Sequence, residues 1–182
     1  MSKILNADAT YKIAIFGEGG IGKTTLTHRY LTGIFKLDTQ LTMGAEIFIK
    51  YLNIKGKSIV LQIWDFGGEE RFRFLLPTYA SGSFGGIFMF DTTRYSSFAK
   101  MEGWLEVFKE GLEESKKDIP ILMVGSKTDL VAERHVTPED ATKQAKEYKM
   151  FDYLECSAKS GENVDTIFDI LVSEIMKKSG IL

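Results

Sequence analysis

The sequence predicts an α/β fold in which a mostly parallel sheet carries helices on both faces. Strand-like and helix-like runs alternate along most of the 182 residues, and such alternation produces parallel strands joined by crossover helices. Segments 85–91 and 121–125 are almost continuously apolar, which is typical of strands buried on both faces. No repeat, low-complexity segment or linker divides the chain, so we predict one domain over residues 1–182.

The first half of the chain begins with a strand and contains a hairpin. A strand-like run at 11–16 leads into a glycine-rich turn and then into a helical stretch. Segments 47–54 and 57–65 flank the turn dipeptide Lys55-Gly56, and two strand-like runs around such a turn predict an antiparallel hairpin.

The second half of the chain carries three helix signals and one more strand. Residues 98–114 are predicted to form one amphipathic helix. Thr137, followed by Pro138 and two acidic residues, is typical of a helix start with a capping hydroxyl. A strand-like run at 153–156 ends on Cys156, which we interpret as a buried structural thiol. The last helix has apolar residues at helical spacing, namely Val164, Ile167, Phe168, Leu171 and Ile175.

Composition and charge argue against several classes of protein. Lys and Arg number 23 against 25 Asp and Glu, giving a net charge of −2, which does not suit a nucleic-acid or polybasic membrane surface. The single cysteine fits a reducing cytosol. No apolar run approaches the roughly 20 residues that span a bilayer, and no secretory signal or C-terminal prenylation cysteine is present. We therefore expect a cytoplasmic protein without its own membrane anchor, peripheral to membranes only through partners.

The most specific motif is GEGGIGKT at 17–24, which matches the phosphate-binding pattern GxxxxGK[ST]. Its glycines let consecutive backbone N–H groups converge on an anion. Lys23 supplies a charge for the β- and γ-phosphates, and Thr24 supplies a hydroxyl for Mg²⁺. A plain glycine-rich turn is the alternative, but a strand before the motif and a helix after it favour phosphate binding.

A second motif follows the strand that ends on Asp65. An aspartate at such a strand end can hold Mg²⁺ through a water molecule. Gly68 can turn its N–H toward a γ-phosphate because it has no Cβ. The alternative is an ordinary strand-ending aspartate in a glycine turn, which the neighbouring phosphate loop disfavours.

A third motif, Ser126-Lys127-Thr128-Asp129, suits guanine. The carboxylate of Asp129 can accept hydrogen bonds from the N1–H and the 2-amino group, and adenine offers neither donor there. The aliphatic stem of Lys127 can lie across the base. Backbone N–H groups at the end of the last strand, in 157–159, suit the guanine O6.

These motifs together resemble the Ras superfamily of small GTPases, and the Rab branch in particular. The resemblance is carried by GEGGIGKT at 17–24, a lone Thr42, WDFGGEERF at 64–72, SKTD at 126–129 and CSAK at 156–159. It covers about Tyr11 to Lys178 and implies the P-loop NTPase (small G-protein) fold, with six strands, one of them an antiparallel edge strand, in a single G domain. It also implies a role in signalling or vesicle trafficking. The Phe66-Gly67 pair and the missing lipidated tail favour an archaeal or otherwise divergent member.

The resemblance also implies the bound groups, GTP or GDP with Mg²⁺, and the residues that hold them. The phosphates are expected against Gly19, Gly20, Ile21, Gly22, Lys23, Thr24, Thr25 and Gly68. The guanine is expected against Phe35, Ser126, Lys127, Asp129, Ser157, Ala158 and Lys159. Mg²⁺ is expected on Thr24 and Thr42, with Asp65 behind a water. GTP hydrolysis is expected to use Lys23, Thr42, Gly68 and Glu69.

Two segments are expected to act as switches, Lys36–Gly44 and Phe66–Thr78. The γ-phosphate would order them and hydrolysis would release them. Effectors, an exchange factor or an activating protein would then distinguish the two states. An apolar cluster in and beside the second segment fits either partner binding or the packing of a short helix, and consists of Phe72, Phe74, Leu75, Leu76 and Tyr79.

Two residues depart from the family pattern. Glu69 stands where the family usually carries the glutamine that orients the attacking water. A carboxylate cannot donate to the γ-phosphate, and like charges about 4 Å apart repel by roughly 4 kcal/mol at an effective dielectric of about 20. Glu69 therefore either turns away, which gives slow turnover, or acts as a base with help; we favour slow turnover. Ser126 stands where the family most often has asparagine, and we expect a looser tether to the phosphate loop and weaker affinity.

The sequence leaves three functions to compare. The first is a GTP/GDP switch that hydrolyses GTP slowly without a partner, and the second is a GTP-loaded scaffold with negligible hydrolysis. A P-loop kinase or ATPase is third, because it leaves the SKTD and CSAK segments unexplained. Gly19 leaves room for an arginine from a partner, and the first switch contains no arginine. An activating partner in trans is therefore expected.

Overall fold

The computed structural model describes residues 7–37, 41–114 and 118–182. Its strands are β1 (Ala9–Phe16), β2 (Ala45–Ile54), β3 (Lys57–Phe66), β4 (Gly85–Asp91), β5 (Ile121–Ser126) and β6 (Asp152–Glu155). Its α-helices are α1 (Lys23–Thr32), α2 (Leu76–Ala80), α3 (Tyr95–Ala99), α4 (Met101–Glu110), α5 (Pro138–Glu147) and α6 (Val164–Lys178). Among the described residues, 3₁₀ helices also cover Glu70–Leu75 and Val131–Glu133.

The six strands form one sheet in the order β2-β3-β1-β4-β5-β6. β2 pairs antiparallel with β3, and the other neighbouring pairs are parallel. The predicted α/β fold is thus confirmed, including the hairpin and the antiparallel strand at one edge. Parallel strands end at the same side of a sheet, so the turns after β1, β3, β4, β5 and β6 lie together there.

Two apolar cores lie on opposite faces of the sheet. Successive residues of β1 alternate between them, with Ile13 and Ile15 in one core and Ala14 and Phe16 in the other, as the two-residue period of a strand requires. The first core is closed by α1 and α6, and the second by α2, α4 and α5. Both faces are therefore covered, and ligands can approach only along the sheet's edges and ends.

The predicted helix over 98–114 is wrong in its bounds and in its continuity. The chain forms α3 from Tyr95 and a separate α4 from Met101, and they meet at Lys100, whose ψ of 4° departs from helical geometry. The earlier start has a local cause, because the Ser97 hydroxyl donates to the Arg94 carbonyl at 2.7 Å and supports the first turn. The predicted C-terminal end at Glu114 is also too late, because α4 ends at Glu110.

The other helix and strand predictions agree with the structure. The Thr137 hydroxyl accepts a hydrogen bond from the backbone N–H of Asp140 at 3.1 Å and caps α5. Cys156 is buried directly after β6, and burial raises the pKa of its thiol to about 12. A thiol this hard to ionise is a poor nucleophile, which agrees with a structural role. Over the described ranges, none of the helices has the length and apolar character needed to cross a bilayer.

The apolar cluster beside the second switch mostly packs inward. Leu76 is buried, and Phe72, Leu75 and Tyr79 are partly buried against the second core. Phe74 differs, since 73% of its surface is exposed. Four of the five side chains therefore pack a short helix onto the sheet, whereas Phe74 faces outward.

Candidate nucleotide-binding site

The loop between β1 and α1 has a backbone that requires glycine. Gly17 has φ 136° and Gly22 has φ 100°, a region that side-chain-bearing residues rarely adopt. A Cβ on Gly17 would lie 2.3 Å from the Met89 carbonyl oxygen, so a side chain there would clash with β4. Because α1 begins at Lys23, the first backbone N–H groups of the helix face this loop and form a concave site for an anion.

Lys23 lies inside this loop. Its ammonium group donates to the carbonyl oxygens of Gly17 at 3.0 Å and Glu18 at 2.6 Å, and the side chain is buried. Burial lowers the pKa of Lys23 to about 8, with repulsion from Arg94 adding to the shift and attraction to Asp65 opposing it. The group stays charged at neutral pH and is poorly solvated, which strengthens its attraction for a phosphate.

Two hydroxyls and a carboxylate converge next to the loop. The Thr24 and Thr42 hydroxyl oxygens are 2.8 Å apart, and the Thr24 hydroxyl also donates to Asp65 Oδ2. Asp65 is fully buried, its Oδ1 accepts no hydrogen bond from the described residues, and burial raises its pKa to about 6. Oxygen donors of this kind fit Mg²⁺, and the carboxylate oxygen without a partner in the described part of the chain can accept a hydrogen bond from a water on such an ion.

The turn after β3 lies directly against the loop and against the segment that carries Thr42. The backbone N–H of Gly67 donates to the Gly44 carbonyl at 2.6 Å. A Cβ on Gly67 would lie 2.1 Å from the Thr42 carbonyl oxygen, and one on Gly68 would lie 2.3 Å from the Glu18 carbonyl carbon. Neither position tolerates a side chain, because three backbone segments meet there.

Glu69 follows these glycines and is paired with a neighbour. Its Oε2 lies 2.6 Å from Nε of Arg71, which donates to it. The same residue borders a small cavity of about 60 Å³ together with Lys23, Thr24, Thr42 and Gly68. The predicted catalytic residues are therefore together, and the Glu69 carboxylate is engaged by a cation of its own chain.

A larger cavity of about 450 Å³ continues from the loop toward β5 and β6. Its lining includes the predicted base-binding residues Phe35, Ser126, Lys127, Asp129, Ala158 and Lys159. Gly20 and Gly22 border both this cavity and the small one. Gly19 borders the small cavity, and Ile21 and Thr25 border the large one. The volume suits a ligand of nucleotide size, and the loop borders both the large cavity and the small one.

The base end of the large cavity is held by side-chain hydrogen bonds. The Ser157 hydroxyl donates to Asp129 Oδ1 at 2.7 Å, which fixes the orientation of that carboxylate. Ser157 itself is buried. Lys127, at φ 63°, donates to the Gly20 carbonyl at 3.1 Å and lies 2.7 Å from Asp91 Oδ2. The third motif is thereby connected to the phosphate loop.

Ser126 makes a direct contact with the phosphate loop. Its hydroxyl donates to the Ile21 carbonyl oxygen at 2.7 Å, and both groups are buried. The shorter side chain thus still reaches the loop, and how firmly it holds the loop compared with an asparagine stays a prediction. Whether nucleotide affinity is weaker stays a prediction.

The strand end before 157–159 is fixed by an ion pair. Both Arg134 Nη atoms donate to the Glu155 carboxylate, at 2.7 and 2.8 Å, and the Tyr153 hydroxyl donates to it at 2.7 Å. Burial acts to raise the pKa of Glu155, but the hydrogen bonds from Arg134 and Tyr153 outweigh it and lower that pKa.

Sequence reasoning missed Arg94 and the ion pairs beside the loop. The Arg94 guanidinium donates to the Gly19 carbonyl oxygen at 2.6 Å and lies 3.6 Å from Glu18 Oε2. Lys100 lies 2.5 Å from Glu18 Oε1. These contacts join residues that are far apart in the chain and share no motif. The only sequence signal for Arg94 was its position, because it follows β4 on the side of the sheet where the loop lies.

The first predicted switch, Lys36–Gly44, is described except for residues 38–40, which lie outside the described residues. Its exposed apolar side chains are Leu37, Leu41 and Met43. The second, Phe66–Thr78, is described throughout and contains a 3₁₀ helix and the start of α2.

The chain is similar to known proteins over nearly its whole length. The family model of the Ras family matches residues 12–177. Ras-related protein Rab-19 of Rattus norvegicus is 32% identical over 177 residues, which are 97% of this chain and 80% of that protein. Ras-related protein Rab-19 of Xenopus laevis is 34% identical over 94% of this chain and 79% of that protein. Ras-related protein Rab-13 of Canis lupus familiaris is 35% identical, with 95% and 83% covered.

Proposed function

Because the chain belongs to the Ras family of small GTPases and is Rab-like, we propose that it is a guanine-nucleotide switch that hydrolyses GTP slowly without a partner. As a small GTPase it binds GTP or GDP with Mg²⁺ and hydrolyses GTP to GDP and phosphate. Beyond this activity, we propose that hydrolysis is slow and that residues 1–182 form a single G domain. We also propose which residues hold the phosphates, the metal and the base, and which surfaces bind partners.

The proposal of slow GTP hydrolysis rests on the contact between Glu69 and Arg71. A residue that orients the attacking water must both accept from the water and donate toward the phosphate. The Glu69 carboxylate can only accept, and it is already engaged by Arg71 at 2.6 Å. Repulsion between this carboxylate and phosphate oxygens favours the paired position further, so turnover is expected to be slow.

The phosphate and metal ends of the site are assigned as follows. Lys23, the backbone from Gly19 to Thr25 and the Gly68 N–H hold the phosphates. Thr24 and Thr42 would hold Mg²⁺ through their hydroxyls, and Asp65 Oδ1 would accept from a water on the ion. Mg²⁺, when bound, neutralises charge on the β- and γ-phosphates.

The base end is assigned to the larger cavity. Asp129, oriented by Ser157, accepts from the N1–H and 2-amino groups of guanine. Lys127 covers one face of the base with its aliphatic stem, and Phe35 packs against the base edge-on. The backbone of Ala158 and Lys159 binds the O6 atom, and Ser126 supports the loop through Ile21.

Partners are proposed to bind the two switch segments. Effectors, an exchange factor and an activating protein would contact 36–44 and 66–78, where Leu37, Met43 and Phe74 are largely exposed. Exposed apolar side chains on segments that change with the nucleotide suit partners that distinguish the two states. The protein would be cytoplasmic and would reach membranes through such partners.

The test is to release the nucleotide from the purified protein, identify it, and then time GTP loss under single-turnover conditions. Bound GDP with slow, measurable turnover supports the proposal. Retained GTP without turnover would instead support the GTP-loaded scaffold. Release of ATP or ADP would contradict both functions.

A further inference from the structure

Arg94 reaches the phosphate loop from outside the three motifs. It follows β4, and its Nη2 donates to the Gly19 carbonyl oxygen at 2.6 Å. Its Nη1 lies 3.9 Å from the position that a Cβ on Gly20 would occupy. The guanidinium therefore lies against Gly19 and Gly20, two of the five glycines that border the small cavity between the loop and Glu69.

Arg94 and Lys23 bind consecutive carbonyl groups of the loop. Lys23 Nζ donates to the Glu18 carbonyl at 2.6 Å, and Arg94 donates to the next one, that of Gly19. Lys23 is the cation that serves the β- and γ-phosphates in this type of loop. A second cation one peptide unit away is placed where negative charge accumulates when a nucleotide binds.

The charge and donors of Arg94 are only partly used by its neighbours. Its nearest carboxylate oxygen is Glu18 Oε2 at 3.6 Å, and that atom accepts no hydrogen bond from the described residues. The other Glu18 oxygen is 2.5 Å from Lys100 Nζ, so two cations share this carboxylate. Arg94 Nε is buried and has no hydrogen-bond partner in the described part of the chain. The guanidinium therefore keeps donors for a further acceptor.

We propose that Arg94 supplies, from within the chain, positive charge that stabilises the terminal phosphate while GTP is hydrolysed. In this reaction a water oxygen bonds to the γ-phosphorus as the bond from that phosphorus to the β–γ bridging oxygen breaks, giving GDP and inorganic phosphate, which takes the two protons of the water. Negative charge grows on the bridging and γ-oxygens. Arg94 stays protonated throughout and acts only through hydrogen bonds and charge.

An arginine suits this role better than a lysine would. The planar guanidinium carries five N–H donors in a fixed arrangement, so it can stay bonded to the Gly19 carbonyl while other donors face a phosphate oxygen. The ammonium group of a lysine has no such planar arrangement of donors. The inference rests on the proposed function. Arg94 would supply, from the same chain, a positive charge that the sequence predicts only from a partner.

The experiment compares wild type with Arg94→Ala and Arg94→Lys. The matched control is Arg29→Ala, which removes another arginine–carbonyl bond, to Gly33 at 2.6 Å, at the far end of α1. Three quantities are measured for each: the single-turnover rate of GTP loss, the affinity for GDP, and the affinity for GDP with aluminium fluoride, a mimic of the transferring phosphoryl group. The third is a binding measurement that does not depend on turnover.

Arg94→Ala is expected to lower the hydrolysis rate by at least about tenfold, since a dedicated arginine contributes about 10³–10⁵ in rate. It is expected to weaken binding of GDP with aluminium fluoride by a similar factor, while GDP affinity changes by less than about twofold. Arg94→Lys is expected to recover part of both losses, and Arg29→Ala is expected to match wild type.

Three results would overturn the inference. Unchanged hydrolysis and unchanged binding of the fluoride complex in Arg94→Ala would show that the charge is not used. An equal loss of GDP affinity would show that Arg94 only supports the loop. A wild-type protein that gains no affinity from aluminium fluoride would overturn it as well. Failure of the proposed function would give a different result, namely a wild type that binds adenine nucleotide instead of guanine nucleotide.

Discussion

The side chain of Arg71 donates from Nε to the carboxylate of Glu69 at 2.6 Å, two residues earlier in the chain. The pair lies at the start of the 3₁₀ helix Glu70–Leu75, beside the small cavity that Lys23, Thr24 and Thr42 also border. A negatively charged group next to a phosphate site is thus held by a cation of the same segment. This contact is the structural basis for proposing slow hydrolysis.

Asp129→Asn is expected to weaken GTP binding and to favour xanthine nucleotides. Xanthine carries a carbonyl where guanine carries the 2-amino group, so the asparagine amide can donate to it where the carboxylate cannot. A hydrogen bond to a charged group contributes about 1.5–3 kcal/mol, which corresponds to about 10- to 150-fold in affinity. Equilibrium binding of GDP and xanthosine diphosphate measures the change. Asp169→Asn, an exposed position on α6, is the control, and unchanged GDP affinity in Asp129→Asn would refute the base assignment.

Gly67→Ala is expected to separate the two switch segments. The added Cβ would lie 2.1 Å from the Thr42 carbonyl oxygen, so the segment carrying Thr42 must move and the hydrogen bond from Gly67 to Gly44 is lost. Thr42 is assigned to Mg²⁺ in the GTP state, so retention of a non-hydrolysable GTP analogue should fall by about tenfold or more, equivalent to about 1.4 kcal/mol. GDP should dissociate at nearly the wild-type rate. Equal dissociation of both nucleotides would contradict the assignment of Thr42.

The Arg134–Glu155 pair is expected to make the free energy of unfolding depend on pH in the acid range. The pKa of Glu155 is lowered in the folded protein, so the pair stabilises the fold above the carboxyl's unfolded pKa of about 4.3. That contribution is lost as pH falls through the lower folded pKa. Arg134→Met should therefore cost about 1.5–3 kcal/mol near pH 7 and progressively less below about pH 4.

Urea unfolding at a series of pH values measures this difference. Lys177→Met is the control, because Lys177 pairs with Glu174 at 3.8 Å with much of its side chain exposed, and exposed pairs contribute little. A gap between wild type and Arg134→Met that does not shrink at acid pH would show that the Glu155 charge is not involved.

The motif-bearing part of the site could be predicted from sequence for a physical reason. Lys23 and Asp129 follow recognisable strands and Asp65 lies at the end of one, and parallel strands bring their ends to one side of the sheet. Local pattern plus topology was therefore enough to place them together. Asp129 and Ser157 were both predicted at the base, although the hydrogen bond between them needed the structure.

Contacts between distant segments could not be predicted in this way. Arg94 meets Gly19 across 75 positions, and the close approach of Gly67 to Thr42 depends on how two turns pack. The break at Lys100 had no sequence signal either, since the apolar stripe continues across it. Side-chain reach and backbone packing between elements decide these features, and single-sequence patterns do not record them.

The most direct test of a slow guanine-nucleotide switch is the single-turnover rate of GTP hydrolysis in wild type and in Glu69→Gln. Glu70→Gln is the matched control, because Glu70 pairs with Arg73 at 3.0 Å on the exposed side of the same short helix. The Glu69→Gln protein is expected to hydrolyse GTP at least about tenfold faster than wild type, and Glu70→Gln is expected to keep the wild-type rate. A Glu69→Gln protein no faster than wild type would contradict the proposal that Glu69 limits hydrolysis.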